Sequence, residues 1–98
     1  MPALPLNHKV LGSGEPFIIL HGLFGSLDNW QTLGRKWSVD RQVVLVDQRN
    51  HGKSPHADDF GYEEMAEDVL HLMDSLSFET IDLMGHSMGG KTAMYLAL

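Results

Sequence analysis

Apolar residues follow two rhythms along this chain. Within Gln42 to Asp47, Val43-Val44-Leu45-Val46 is an unbroken apolar run, as expected of a parallel strand covered on both faces. Phe17 to Leu20 is a similar run, and Lys9 to Leu11 precedes it across Gly12-Ser13-Gly14-Glu15, a turn composition that predicts an early strand leading into a buried one. Ile81-Asp82-Leu83-Met84 is a third candidate for the buried strands. Elsewhere the spacing is helical: Met65, Val69, Leu72, Met73 and Leu76 trace one helix face, with Glu63 and Glu64 at its positive N-terminal end. Asp28 to Trp37 is a weaker helix carrying Trp30, Leu33 and Trp37, and another runs from about Gly89 onward. Strands alternating with helices predict an α/β architecture, a mostly parallel sheet with helices on both faces. Ligand sites in such sheets lie at the carboxyl ends of strands. Three unusual segments sit there: His21 to Gly25, Asp47 to Gly52 and Gly85 to Gly89.

Composition narrows the function classes. With 98 residues, 43% hydrophobic, the chain is sized for one core. Thirteen acidic against seven basic residues give a net charge of −6, which argues against a nucleic-acid partner. No stretch is apolar enough to span a bilayer, and Met1 to Lys9 does not read as an export signal, so a soluble, cytoplasmic protein is expected. Cysteine is absent, which removes disulfides and thiolate chemistry. His8, His21, His51, His56, His71 and His86 are scattered without zinc-type pairing, so no metal is expected, and no cofactor is implied. Oligomeric state is not specified by any of these features.

The chemistry concentrates in Gly85-His86-Ser87-Met88-Gly89. A serine flanked two residues away on each side by glycine, at a strand-to-helix junction, is the pattern of a nucleophile elbow. Side chains at Gly85 or Gly89 would collide with neighbouring backbone in so sharp a turn. Ser87 would then project from the sheet end, and the Met88 N–H, at the helix N-terminus, would be one oxyanion donor. A second donor is expected from the loop at His21-Gly22-Leu23, with Leu23 N–H first and Phe24 N–H next. The same stretch, Gly85 to Thr92, also spells a phosphate-binding loop. Context argues against that rival: the candidate magnesium aspartate, Asp47, precedes the loop instead of following it, and His21-Gly22 is left without a role.

From Phe17 onward the chain resembles α/β-hydrolases, and more narrowly YbfF-type acyl esterases and their relatives among abhydrolase-domain proteins. His21 to Trp30, Asp47 to Pro55 and Gly85 through Met94 carry the likeness, with Arg49-Asn50-His51-Gly52 and Lys91 pointing to the narrower group. The resemblance implies hydrolysis of a small ester or thioester through an acyl-enzyme on Ser87, with a histidine base and an acid that follow the serine in chain order. Residues after Ser87 include no histidine, aspartate or glutamate, so the chain reads as the N-terminal part of the α/β-hydrolase fold, lacking later strands, a cap and both triad partners. Cofactor-free haloperoxidases and carbon–carbon hydrolases share the serine motif and are the alternatives within the fold. An inactive scaffold is disfavoured by the intact serine motif.

The remaining residues of interest read as support. His86 reads as packing, because neighbours on a tight turn point apart, and His21 as shaping the oxyanion loop beside Gly22. His51 and Asp47 read as structural, with Arg49 paired to backbone or carboxylate. Met65 and Met73 read as core. Phe24 and Trp30 are possible substrate contacts.

Overall fold

The β-branched and aliphatic runs become strands, and in the computed structural model, which describes residues 3–97, they form one sheet. Its strands are β1 (His8–Leu11), β2 (Pro16–Leu20), β3 (Gln42–Val46) and β4 (Asp82–Gly85), in the spatial order β1-β3-β2-β4. β3 and β4 both run parallel to β2, and β1 lies antiparallel to β3 at one edge. The early strand therefore does not pair with its neighbour in sequence. β3 inserts between β1 and β2.

Period-two alternation sends Ile18 and Leu20 of β2, with Val44 and Val46 of β3, to one face, and Phe17, Ile19, Val43 and Leu45 to the other. Two helices, α2 (Tyr62–Ser75) and α3 (Met88–Ala97), cover the first face through Val69, Leu72, Ala93 and Leu96. On the second face a 3-10 turn, Leu27–Trp30, continues into α1 (Gln31–Trp37), bringing Leu27, Trp30 and Trp37 onto the sheet. Because both faces are covered, Val43 to Val46 are fully buried, and each such side chain stabilises the fold by roughly 1.5–3 kcal/mol. No helix among the described residues is long and apolar enough to cross a membrane.

Local chemistry sets the boundaries. The weak helix divides because Ser26 and Asn29 form a capping box around Leu27–Trp30, and Trp30 leaves helical geometry at φ −110°. α2 stops where Ser77 turns left-handed at φ 60° and the Phe78 N–H closes on the Met73 carbonyl at 2.9 Å. That turn redirects the chain into β4. The last helix begins at Met88, one residue before the expected start, which leaves only His86 and Ser87 between β4 and α3.

Candidate active site

The carboxyl ends of β2, β3 and β4 converge, and each following loop contains a non-glycine residue with positive φ: Phe24 at 62°, Asn50 at 65° and Ser87 at 56°. Left-handed backbone at such residues costs on the order of 1 kcal/mol or more, so each must be held by its surroundings. At Ser87 the restraints are visible. The His86 N–H donates to the Leu20 carbonyl at 3.0 Å, the Gly89 N–H to the His86 carbonyl at 2.9 Å, and the Lys91 N–H to the Ser87 carbonyl at 3.2 Å. Both flanking glycines are sterically required. A Cβ at Gly85 would overlap the Gly89 carbonyl and sit 2.5 Å from Gly90 N; one at Gly89 would overlap the Leu20 carbonyl and sit 2.7 Å from the His21 oxygen. Gly22 is closed in as well, since its Cβ would lie 2.9 Å from His86 Nδ1.

This geometry argues against the phosphate-loop alternative. A loop that wraps a phosphate needs Gly85 to Gly90 as irregular backbone offering several N–H groups, whereas Met88 to Lys91 are already the first turn of α3. The Lys91 ammonium lies instead over the Tyr62 ring, 5.8 Å from its centroid.

Ser87 stands where two clefts meet. One, of about 340 Å³, is lined by Leu23, Phe60, Tyr62, Met65, Met88 and Lys91 together with Ser87; the other, of about 290 Å³, by Gly22, Leu23, Gly25, Asn29, Trp30 and His86 together with Ser87. Leu23, Met88 and Trp30 are thus brought to the serine. Phe24 is not: its side chain is 92% exposed and lines neither cleft. His86 packs edge-on against Trp30, ring centroids 6.0 Å apart.

Along the loop after β2, Gly25 N–H donates to the Gly22 carbonyl at 3.0 Å, Ser26 N–H to Asn29 Oδ1 at 2.9 Å, and Phe24 N–H to His51 Nε2 at 3.1 Å. Phe24 N–H is therefore already committed and is unavailable as an alternative oxyanion donor. Among the described residues the Leu23 and Met88 N–H groups meet no protein acceptor.

Two histidines tie this loop to the one after β3. His21 Nδ1 donates to the Gly22 carbonyl at 2.7 Å, and its Nε2 accepts the Gln48 N–H at 3.0 Å. His51 does the same from the other loop: its Nδ1 donates to the Arg49 carbonyl at 2.9 Å while its Nε2 accepts from Phe24. A backbone N–H can donate only to a bare ring nitrogen, so these partners assign the Nδ1–H tautomer to both. Burial pushes the His21 pKa down, with the nearby His51 adding to the effect and the Gly22 carbonyl and Asp47 opposing it. At Asp47 burial opposes the charge, yet the N–H groups of Leu27 and Lys53, the Asn7 amide and His21 outweigh it and hold the carboxyl below the usual range.

Arg49 is paired to backbone and to carboxylate at once. Its guanidinium grips Asp68 of α2 through Nε at 2.7 Å and Nη2 at 2.9 Å, and donates to the Asp59 carbonyl at 2.9 Å. Asp68, which sequence reasoning missed, also accepts the Leu4 N–H at 2.8 Å. Its signal was an acid placed on the apolar stripe of α2, three residues after Met65 and one before Val69. Phe60, Tyr62 and Lys91 were missed as cleft residues because only tertiary packing brings the start of α2 beside Ser87. Met65 is both buried core and cleft wall.

Comparison with known proteins agrees with this geometry. The chain is 45% identical over 100 residues to the sn-1-specific diacylglycerol lipase ABHD11 of Mus musculus, covering 97% of this chain and 33% of that protein. It is 42% identical over 84 residues to Esterase YbfF of Escherichia coli (strain K12), covering 86% of this chain and 33% of that protein. A solved marine microorganism esterase superposes with a TM-score of 0.95 at 53% identity, over 97% of this chain and 37% of the other. The chain thus spans about a third of the length of these relatives. The family model described as alpha/beta hydrolase fold matches residues 15–98. On that match, and on a sheet whose strand ends assemble the elbow and its facing loop, the chain belongs to the α/β-hydrolase fold family.

Proposed function

We propose that this chain supplies the nucleophile and oxyanion hole of a serine hydrolase acting on small carboxylic esters or thioesters. The observation that carries the reading is Ser87 itself, held at φ 56° on a two-residue strand-to-helix turn at the meeting of two clefts. Relatives named as an esterase and as a diacylglycerol lipase support the ester class. In the proposed reaction Ser87 Oγ attacks the acyl carbonyl carbon as a general base takes its proton. The carbonyl oxygen becomes an oxyanion that accepts from the Leu23 and Met88 N–H groups, strengthened by the N-terminus of α3. Collapse expels the alcohol or thiol, which receives the proton, and water then releases the acid from the acyl-enzyme.

Neither His21 nor His51 suits the role of base, since the acceptor nitrogen of each already holds a backbone N–H. In this reading the base and its acid come from segments beyond these residues, and Leu23, Phe60, Tyr62, Met65 and Trp30 form the walls against which the substrate packs. The test is fluorophosphonate labelling of the intact protein together with p-nitrophenyl butyrate hydrolysis. Labelling is expected on Ser87, and S87A is expected to lose the label and at least about 10⁴-fold in kcat. Labelling and turnover that survive in S87A would overturn the assignment.

A further inference from the structure

Resting on the serine-hydrolase reading, we propose that His51 is a positioning residue: its Nε2 lone pair clamps the Phe24 N–H and thereby keeps the preceding Leu23 N–H turned toward Ser87. The argument starts with Phe24, a bulky residue in left-handed backbone at φ 62°. Such a conformation persists only where its surroundings over-determine it. Packing does not supply the restraint, because the side chain is 92% exposed. Two hydrogen bonds do: Gly25 N–H to the Gly22 carbonyl at 3.0 Å closes the turn that carries Phe24 at its third position, and Phe24 N–H to His51 Nε2 at 3.1 Å ties that turn to the loop after β3.

His51 is in turn rigidly held. Its Nδ1–H is anchored on the Arg49 carbonyl at 2.9 Å, and its ring sits between His21, centroids 5.0 Å apart, and Phe60, 5.7 Å. Arg49 is fixed by Asp68 on α2. The reciprocal bond, Gln48 N–H to His21 Nε2, means that each loop lends an imidazole acceptor to the other's backbone. Removing one half of this crossed clasp leaves the turn held by the Gly25–Gly22 bond alone, so the Leu23–Phe24 peptide is freer to rotate and the Gly22–Leu23 peptide, which carries the Leu23 N–H, loses the anchor that fixes its orientation. An oxyanion donor acts mainly in the transition state, so its misplacement lowers kcat and spares KM.

The experiment uses H51L, which removes the acceptor, and H51Q, whose amide oxygen reaches a similar position, in the intact protein with p-nitrophenyl butyrate. H51L is expected to lower kcat about 10²-fold with KM within about twofold, and H51Q to recover to within about tenfold of the original enzyme. The Phe24 amide proton resonance, read by nitrogen-15 NMR, should move upfield in H51L and return in H51Q. Phe24→Gly, which adopts positive φ freely, should restore part of kcat in the H51L background. Folded H51L with unchanged kcat and Phe24 resonance, or with a raised KM at constant kcat, overturns the clamp. If H51L does not fold, H51Q decides: kcat within tenfold supports the proposal and a hundredfold loss in folded H51Q refutes it. The serine assignment fails by a different result, turnover retained in S87A, which leaves the Phe24 resonance unaffected.

Discussion

At Gly89 and Gly90 two adjacent glycines do unlike work. A methyl group at Gly89 would strike the Leu20 carbonyl, which is backbone and cannot yield, whereas at Gly90 it would meet the Gly85 carbonyl oxygen at 3.3 Å, a contact that a small shift relieves. Gly89→Ala is therefore expected to cost more than about 3 kcal/mol or to prevent folding. Gly90→Ala should stay within about 1 kcal/mol of the original, because the gain in helix propensity offsets the tight contact. Urea unfolding of the two variants makes the comparison. His21 provides a second residue-level test. Its folded pKa is lowered, so the unfolded chain binds the proton more readily and stability rises with pH across that interval. The contribution is complete above about pH 6.5 and is lost progressively as pH falls from there toward the depressed folded value. His21→Gln should flatten that part of a stability-versus-pH curve. An unchanged slope below pH 6.5 would mean that other groups carry it.

Among the elements, α2 is tied to the sheet by more than its apolar face. Asp68 is fully buried beneath it, and the Arg49–Asp68 pair is the one buried ion pair among the described residues. Such pairs are costly to break on one side, about 3–5 kcal/mol, because the surviving charge is stranded in low dielectric. They are cheap to replace on both sides at once. Asp68→Ala should therefore destabilise by that amount, while Arg49→Met combined with Asp68→Leu should recover most of it. A double variant no more stable than Asp68→Ala alone would show that the pair's hydrogen bonds to Asp59 and Leu4 carry the stability instead. The exposed Arg41–Asp82 contact at 3.5 Å is of another kind, screened by solvent and of little consequence.

For the whole molecule, β4 is the telling strand. It pairs with β2 on one side, and among the described residues no strand pairs with its other side. Beyond it α3 leaves Met94 and Tyr95 exposed at 62% and 53%. An open strand edge beside apolar helix surface promotes association. Residues 1–98 expressed alone are expected to elute as oligomers or aggregates in size-exclusion chromatography and to hydrolyse p-nitrophenyl butyrate several orders of magnitude more slowly than the intact protein. A monomer with cooperative unfolding and comparable turnover would contradict this, and would place a working base among the histidines present.

What the sequence determined by itself was local or periodic. Unbroken apolar runs at Phe17 to Leu20 and Val43 to Val46 specify strands buried on both faces, and the spacing of Met65, Val69 and Leu72 specifies the inner face of α2, because burial on a fixed period leaves a readable trace. The elbow was legible because Gly85, Ser87 and Gly89 fall within five consecutive residues at a strand-to-helix junction, although the clash that requires glycine at 89 is with the remote Leu20 and His21 carbonyls. Tertiary structure decided whatever joins distant segments. β1 lies on β3 and not on β2; Arg49 finds Asp68 nineteen residues away; His21 and His51, each twenty-seven residues from the backbone N–H it accepts, exchange donors across two loops. A hydrogen bond between remote residues imposes no period and no spacing on the chain. Only the folded sheet, by bringing three strand ends together, makes such contacts possible.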